Sequence, residues 1–427
     1  MTPKLDGADA PPFAENALVI KLRDPEGVRA AVEGYKGSPL LARGGLPAVL
    51  RHVDRSGLVG AKLTPIYPER ALEVLSREGP VEGGLPGEAA WKVAVPDYET
   101  PRQELSAYHY LELGSEGPAN AELEAKLRKD PLIALVYHPA IPYARDASPD
   151  GDKVDGEDPQ WGLERCGFRE VWNELDKGFD PGPIGVIDEG GDIGHGELLD
   201  LVQVCGSPGN DSTQTHASAV MGVLAALRDN KGMDGCCSAR IVLYDVSGSS
   251  DQTPLYFILA LKAAACRGLR VLNVSMEMER DQCVADQIKE CVDEGMIIVA
   301  AMGNKNSMVP AYPAGYDGVI AVGATNRNGD KLKASNTGKH ICISAPGELI
   351  LTIKDAQTLS QEDHNGTSYA APMVSAAAWL ALRARPHFCG HHMKDFLAKC
   401  VNGVGPFSMQ LGHGRLDMRR MLQELKC

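Results

Sequence analysis

The chain has 427 residues, a formal net charge of −14, 44% hydrophobic and 23% charged residues. That length holds two domains, and the balance is that of a water-soluble globular protein. The acidic surplus argues against a nucleic-acid partner, and no apolar run reaches the roughly 18 residues of a membrane span, so neither nucleic acid nor membrane is an expected partner.

Residues 1–15 read as a disordered lead-in, polar and broken by Pro3, Pro11 and Pro12. Asn16–Leu22 alternates as a strand, and Tyr108–Leu113 and Ile133–Tyr137 read as two more. Between these last two, residues 119–129 carry helical spacing at Ala121, Leu123, Ala125 and Leu127. Strand, helix, strand predicts a small α+β domain over 16–142; its middle, 38–104, is rich in Gly and Pro and yields no element. Residues 143–159, with Arg145, Asp146, Pro149, Asp150, Gly151 and Asp152, are charged and turn-prone and read as a linker.

From Gln160 to the end, apolar strand patterns (184–187, 241–245, 271–274, 297–301 and 319–323) alternate with helical ones (216–227, 254–267, 281–294 and 369–384). Near-continuous apolar runs are what strands buried on both faces require. The fold class is therefore α/β, a doubly wound parallel sheet over 160–427 beside the smaller N-terminal α+β domain.

Chemistry collects at the ends of these elements. Ser368 follows Gly366-Thr367 at the mouth of a helix of small residues, where the helix dipole favours negative charge; Pro372 is expected in its first turn, where a missing N–H costs nothing. A hydroxyl is a weak nucleophile without a base. Asp188 ends the apolar run Ile184–Ile187, and His216 opens a second helix of small residues. Their order, Asp then His then Ser, fits one arrangement of a serine triad. Asn304, after Val299–Gly303, offers an amide to an oxyanion. Each also has a plain structural reading: a capping serine, a cap-proximal histidine and a turn asparagine.

Taken together, these segments resemble the subtilisin-like serine peptidases (subtilases, peptidase family S8) from about Gln160 onward. The likeness runs through Val186-Ile187-Asp188, His216–Gly222, Leu272–Ser275, Ala300–Asn304, Tyr312-Pro313-Ala314, Ala345-Pro346-Gly347, Gly366–Pro372 and Gly412–Asp417. It implies a serine endopeptidase acting on a peptide or protein substrate through an acyl-enzyme. Asp188, His216 and Ser368 would be the triad and Asn304 the oxyanion donor. Asn273, Val274, Ser275, Met276 and Glu277, with Ala301, Met302 and Gly303, would border the substrate. His195 and His364 compete with His216 on residue type alone. The resemblance also gives residues 16–142 the place of a propeptide, an intramolecular inhibitor and chaperone; a permanent accessory domain is the other reading.

Some residues depart from the family pattern. Glu277 stands where glycine is usual and Met302 where alanine is common. Ala217-Ser218-Ala219 replaces Gly-Thr-His, Glu189 follows the acid, and Met373 replaces a frequent histidine. A carboxylate at 277 suggests selection of Lys or Arg before the cut, or a narrowed pocket. No cofactor is required; Glu197 and Asp229 fall where the family often holds a structural calcium. The eleven cysteines, and an opening Met1–Asp6 without an apolar stretch, lead to the expectation of reduced thiols, a cytoplasmic address and restricted intracellular processing. Two alternatives stay open: an impaired homologue that binds peptides, and a ligase or macrocyclase using the same triad.

Overall fold

The computed structural model describes residues 17–22, 62–65, 108–112, 124–125, 127–129 and 133–137, then 158–426 apart from 192–194, 200, 206–215, 230, 247–252, 356–357, 362–363 and 404–405. The expected lead-in and nearly all of the expected linker lie outside these residues. The chain divides into two compact units, Met1–Ile141 with Ser250–Leu255, and Pro142–Ser249 with Tyr256–Cys427. In the first unit, β1 (Ala17–Leu22), β2 (Lys62–Pro65), β3 (Tyr108–Glu112) and β4 (Ile133–Tyr137) form an antiparallel sheet in the order β2-β3-β1-β4. Residues 124, 125 and 127 are helical, within the stretch whose spacing predicts a helix. β2 lies in the Gly- and Pro-rich middle, where the sequence suggested nothing.

The second unit is built on one sheet, of nine strands among the described residues. Its members are β5 (Ile184–Asp188), β6 (Val202–Cys205), β7 (Ile241–Asp245), β8 (Val271–Val274), β9 (Ile297–Ala301), β10 (Ile320–Thr325), β11 (Ile341–Pro346), β12 (Val401–Asn402) and β13 (Arg415–Leu416), in the order β12-β13-β11-β10-β9-β8-β5-β7-β6. Every pairing but β12 with β13 is parallel. Strand residues alternate between two buried faces. Val186, Leu243, Val299 and Val322 join one core with the helices α1 (Trp161–Cys166), α2 (Phe168–Leu175), α3 (His216–Ala225) and α6 (Thr367–Ala384). Ile187, Tyr244 and Ile298 are buried outside that core, as are Phe257 and Leu261 of α4 (Thr253–Cys266) and Ile288 of α5 (Gln282–Asp293). This is the doubly wound α/β architecture the alternating pattern predicts.

The chain leaves β5 for the edge strand β6, returns through β7, and then crosses to β8 on the other flank of β5. That reversal puts a crevice outside the carboxyl ends of β5 and β8, where such sheets bind their ligands. Asp188 is the last residue of β5, and Ser275–Glu277 follow β8 directly.

Two helices aim at this crevice. At the far end of α3, the carbonyls of Val223, Leu224 and Ala226 accept the N–H groups of Cys236, Cys237 and Gly235 at 3.0, 3.1 and 3.1 Å. Those are among the carbonyls a helix end leaves open, so the 235–237 segment anchors α3 from behind. α6 is buried from Thr367 to Leu382.

α6 begins at Thr367, so Pro372 is its sixth residue and does not lie in the first turn as expected. It therefore removes the N–H that would have bonded the Ser368 carbonyl. The Ser275 hydroxyl fills the vacancy, donating to that carbonyl at 2.9 Å. Ser275 Oγ in turn accepts Asn273 Nδ2 at 3.0 Å, and Asn273 Oδ1 accepts the Ser375 hydroxyl at 2.9 Å. Asn273, Ser275 and Ser375 are all essentially inaccessible. Ser375→Ala strands the buried Asn273 carbonyl, and denaturant titration is expected to show a loss of about 1–3 kcal/mol; an unchanged midpoint would mean that the network carries no stability.

Candidate active site

Asp188 is fully buried at the tip of β5. Its Oδ1 accepts the Glu189 N–H at 2.8 Å and lies 2.7 Å from His216 Nδ1, while Oδ2 is buried without a hydrogen-bond partner. The alignment of β5 with α3 makes this pair, since His216 is the first residue of the helix packed against that strand. A carboxylate on Nδ1 leaves Nε2 as the imidazole's outward nitrogen. Asp245, at the end of β7, accepts the Gly190 N–H at 3.0 Å and so holds the turn after Asp188.

Ser368, the second residue of α6, is 2% exposed. α3 and α6 pack together, and the ring of the adjoining Tyr369 sits 6.0 Å from the His216 ring, centroid to centroid. The Ser368 hydroxyl donates to the Ser275 carbonyl at 3.3 Å. Acid and imidazole are thus hydrogen-bonded, and the serine stands on the neighbouring helix with its hydroxyl on Ser275.

Asn304 is oriented by the residue before the serine. Its Oδ1 accepts both the backbone N–H of Thr367, at 2.9 Å, and the Thr367 hydroxyl, at 3.0 Å. The amide nitrogen is thereby turned toward Gly366, where an added Cβ would lie 2.8 Å from Nδ2. Gly366 has φ 153°, so no other residue fits there on either count. The Thr367 hydroxyl also accepts the Gly303 N–H at 3.1 Å.

A second asparagine fixes the same loop. Asn336 Nδ2 donates to the Met302 carbonyl at 2.9 Å, its backbone N–H to the Gly303 carbonyl at 2.9 Å, and its Oδ1 accepts the N–H groups of Lys305 and Ser307 at 3.0 and 2.9 Å. Sequence reasoning named neither Asn336 nor Thr367 nor Asp245 as functional. Thr367 alone had a signal, its place between Gly366 and Ser368.

Two of the residues expected to border the substrate are tied into the sheet. Asn273 and Val274 are paired on both sides, with Val186 and Ile187 of β5 and with Val299 and Ala300 of β9. Their backbones have no edge left for a peptide, which corrects the expectation for these two; the Asn273 side chain serves Ser275 instead. Beyond Val274 the chain leaves the sheet, until Met278 bridges to Tyr312. Ser275, Met276 and Glu277 are the residues between those two pairings. Met302, which donates its N–H to the Val322 carbonyl at 3.1 Å, and Ala301 are buried. Gly303 borders Glu277, whose Oε2 would lie 2.4 Å from a Cβ at 303.

The other candidate nucleophiles and bases are engaged elsewhere. His195 caps a short turn, its Nδ1 accepting the Glu197 N–H at 3.2 Å. His364 Nδ1 sits 2.6 Å from the Thr352 hydroxyl. Burial pushes the thiols of Cys166, Cys237 and Cys291 up to about 12, leaving them protonated and inert.

A family model described as the subtilase family matches residues 184–414. The alkaline protease of Shouchella clausii is 28% identical over 290 residues, 66% of this chain and 74% of that protein. Subtilisin DY of Bacillus licheniformis is 29% identical over 254 residues, 56% of this chain and 90% of that protein. Among solved structures, the prenylagaramide maturation protease PagA superimposes with a TM-score of 0.52 at 23% identity, covering 61% of this chain and 98% of that one. The psychrophilic subtilisin-like protease Apa1 of Pseudoalteromonas sp. AS-11 does so with a TM-score of 0.52 at 17% identity, covering 61% and 96%. These two likenesses are of fold.

Glu197 and Asp229 are the residues to which the resemblance gives a calcium ion. Glu197 is buried beside the 227–233 loop; Oε1 accepts the Met233 N–H at 3.3 Å and Oε2 has no hydrogen-bond partner. Asp229 faces Lys231, whose Nζ is 3.9 Å away and whose N–H it accepts at 3.0 Å. Two carboxylates, one already paired with an ammonium, fall short of the roughly six to eight oxygens calcium takes. Among the described residues no group of three or more His, Cys, Asp or Glu is placed to hold a metal. The residues present do not fit the ion.

Burial, and then the charges of Asp229 and Asp234, hold the Glu197 carboxyl above its ordinary range, against the opposing Met233 N–H. The folded state therefore binds this proton more tightly than the unfolded chain. The contribution to stability is complete below the ordinary glutamate range and is lost as pH rises through the raised value. Glu197→Gln is expected to melt above the wild type at about pH 8, with the gap closing toward about pH 4. A constant difference across that range, read by thermal unfolding, would separate the effect from this charge.

Proposed function

Because this chain belongs to the subtilase family of serine endopeptidases, we propose that it cuts peptide bonds with Ser368 as nucleophile, His216 as its base, Asp188 as the imidazole's anchor and Asn304 as oxyanion donor. The observation that carries this reading is the buried 2.7 Å bond from Asp188 to His216 Nδ1, made at the carboxyl edge of the sheet beside the helix that begins at Thr367-Ser368.

In this reading the Ser368 hydroxyl turns from the Ser275 carbonyl to His216 Nε2. Its oxygen bonds to the substrate carbonyl carbon as its proton passes to that nitrogen. The carbonyl oxygen becomes an oxyanion and accepts from Asn304 Nδ2 and the Ser368 N–H, which lies in the first turn of α6 and has no intrahelical acceptor. The imidazolium gives its proton to the leaving amine, the C–N bond breaks, and an acyl-serine remains. Water then repeats the sequence, with His216 again the base. The buried Asp188 carboxylate favours the imidazolium at each stage.

The N-terminal unit serves in this reading as inhibitor and chaperone, and the enzyme trims a small set of partners in a reducing compartment. Ten free cysteines among the described residues support the last point. Also among the described residues, no helix is long and apolar enough to cross a membrane.

Ser368→Ala is expected to lose all hydrolysis and any self-processing seen by intact mass, and a fluorophosphonate is expected to label the wild type at Ser368. Cleavage that persists in the variant would end the assignment. Asn304→Ala should lower kcat by about a hundred- to a thousandfold. Thr367→Val, which removes one of the two bonds fixing the Asn304 amide, should lower kcat by roughly tenfold with KM unchanged, as read by steady-state kinetics.

A further inference from the structure

One carboxylate beside this site is buried without a hydrogen bond. The Glu277 side chain is 6% exposed, and neither of its oxygens accepts a hydrogen bond. It is ion-paired with Lys305, whose Nζ is 3.4 Å from Oε1 and whose side chain is 32% exposed. A desolvated carboxylate lacking hydrogen bonds is costly to keep, and a 3.4 Å ion pair with a half-solvated arm recovers little of that cost.

Its position is specific. Glu277 lies two residues beyond the Ser275 carbonyl that accepts the Ser368 hydroxyl. Oε2 abuts Gly303, the residue before Asn304, and the same Gly303 site is bordered by Asn336 Nδ2 and the Ala311 Cβ, at 2.5 and 3.1 Å from where its own Cβ would be. The missing Cβ at Gly303, whose φ of 95° favours glycine, is what leaves room for the acid. The residues that precede Glu277 and Gly303 in the chain, Met276 and Met302, are buried and apolar, a residue type suited to the methylene stem of a long side chain.

We propose that Glu277 is the specificity residue for the position whose carbonyl is attacked, that this position takes Lys or Arg, and that Lys305 holds the place of that cation until substrate arrives. An ammonium brings three donors and a guanidinium five, which are the hydrogen bonds Glu277 lacks. On binding, Lys305 gives up Oε1 and its ammonium moves outward into water. This rests on Ser368 being the nucleophile; it adds which bond the enzyme chooses.

The test is cleavage of a mixed peptide library by the full chain, with cut sites read by mass spectrometry, beside fluorophosphonate labelling of the same preparation. Cuts after Lys and Arg are expected to dominate, with kcat/KM at least about tenfold above matched peptides carrying Leu at that position. Glu277→Gln should erase most of that ratio. Lys305→Met, which removes the internal competitor, should raise kcat/KM for the Lys and Arg peptides. Cleavage mainly after Leu, Ala or acidic residues, with Ser368 labelled, would overturn this proposal and leave the nucleophile standing. A Lys305→Met variant that loses basic and neutral cleavage alike would mark the ion pair as a structural plug and also overturn it. No cleavage and no labelling would remove the nucleophile assignment, and this inference with it.

Discussion

Everything at this site is organised around the hydrogen bond between a carboxylate with no exposure and the first residue of a neighbouring helix. Glu189 N–H and His216 Nδ1 both meet the Asp188 side chain at Oδ1. In a low-dielectric setting the cost of an unpaired acid is large, so the strand tip and the start of α3 are held in register by electrostatics as much as by packing. The reversal of strand order beside β5 makes a crevice at that spot, and the second helix, α6, brings the serine to its rim.

The surrounding residues supply rigidity. Thr367 and Asn336 together determine where the Asn304 amide points, one through the side-chain oxygen and one through the loop that carries it. A donor aimed in advance costs no reorganisation when charge develops. The cysteines play a different part: most are deeply buried and act as small apolar residues, lining the core without chemistry of their own.

Much of this was legible in the sequence because the informative signals are local. Ile184–Ile187 and Val299–Ala301 are apolar runs closed by a turn, and each delivers its polar residue at a strand end. Asp188 and Asn304 could be named for that reason, and His216 and Ser368 because each stands at the start of a helix of small residues. What escaped depended on distant partners. Asn336 resembles any turn asparagine until its bonds to Met302 and Lys305, some thirty residues away, are seen. The pairing of Asn273 with Ser375 spans about a hundred residues, so its role as an internal tie rather than a substrate contact had no local mark. β11 was missed because Ser344 and Pro346 interrupt its apolar run. The helices over 161–175 were missed because Gly167, in the left-handed region at φ 80°, breaks their periodicity in two. The start of α6 was misplaced because Pro372 reads as a first-turn residue, whereas its missing N–H is compensated across the fold by Ser275.

That compensation has a wider implication. Ser275 and Ser368 exchange hydroxyl-to-carbonyl bonds in both directions, so the wall of the groove and the alcohol on the helix form a single mechanical unit. Selection or engineering that reshapes the wall at this point also resets the alcohol. With the roles proposed for Ser368 and Glu277, preference and reactivity are inherited together, and variants with new tastes are to be sought farther along the groove, where the two part company.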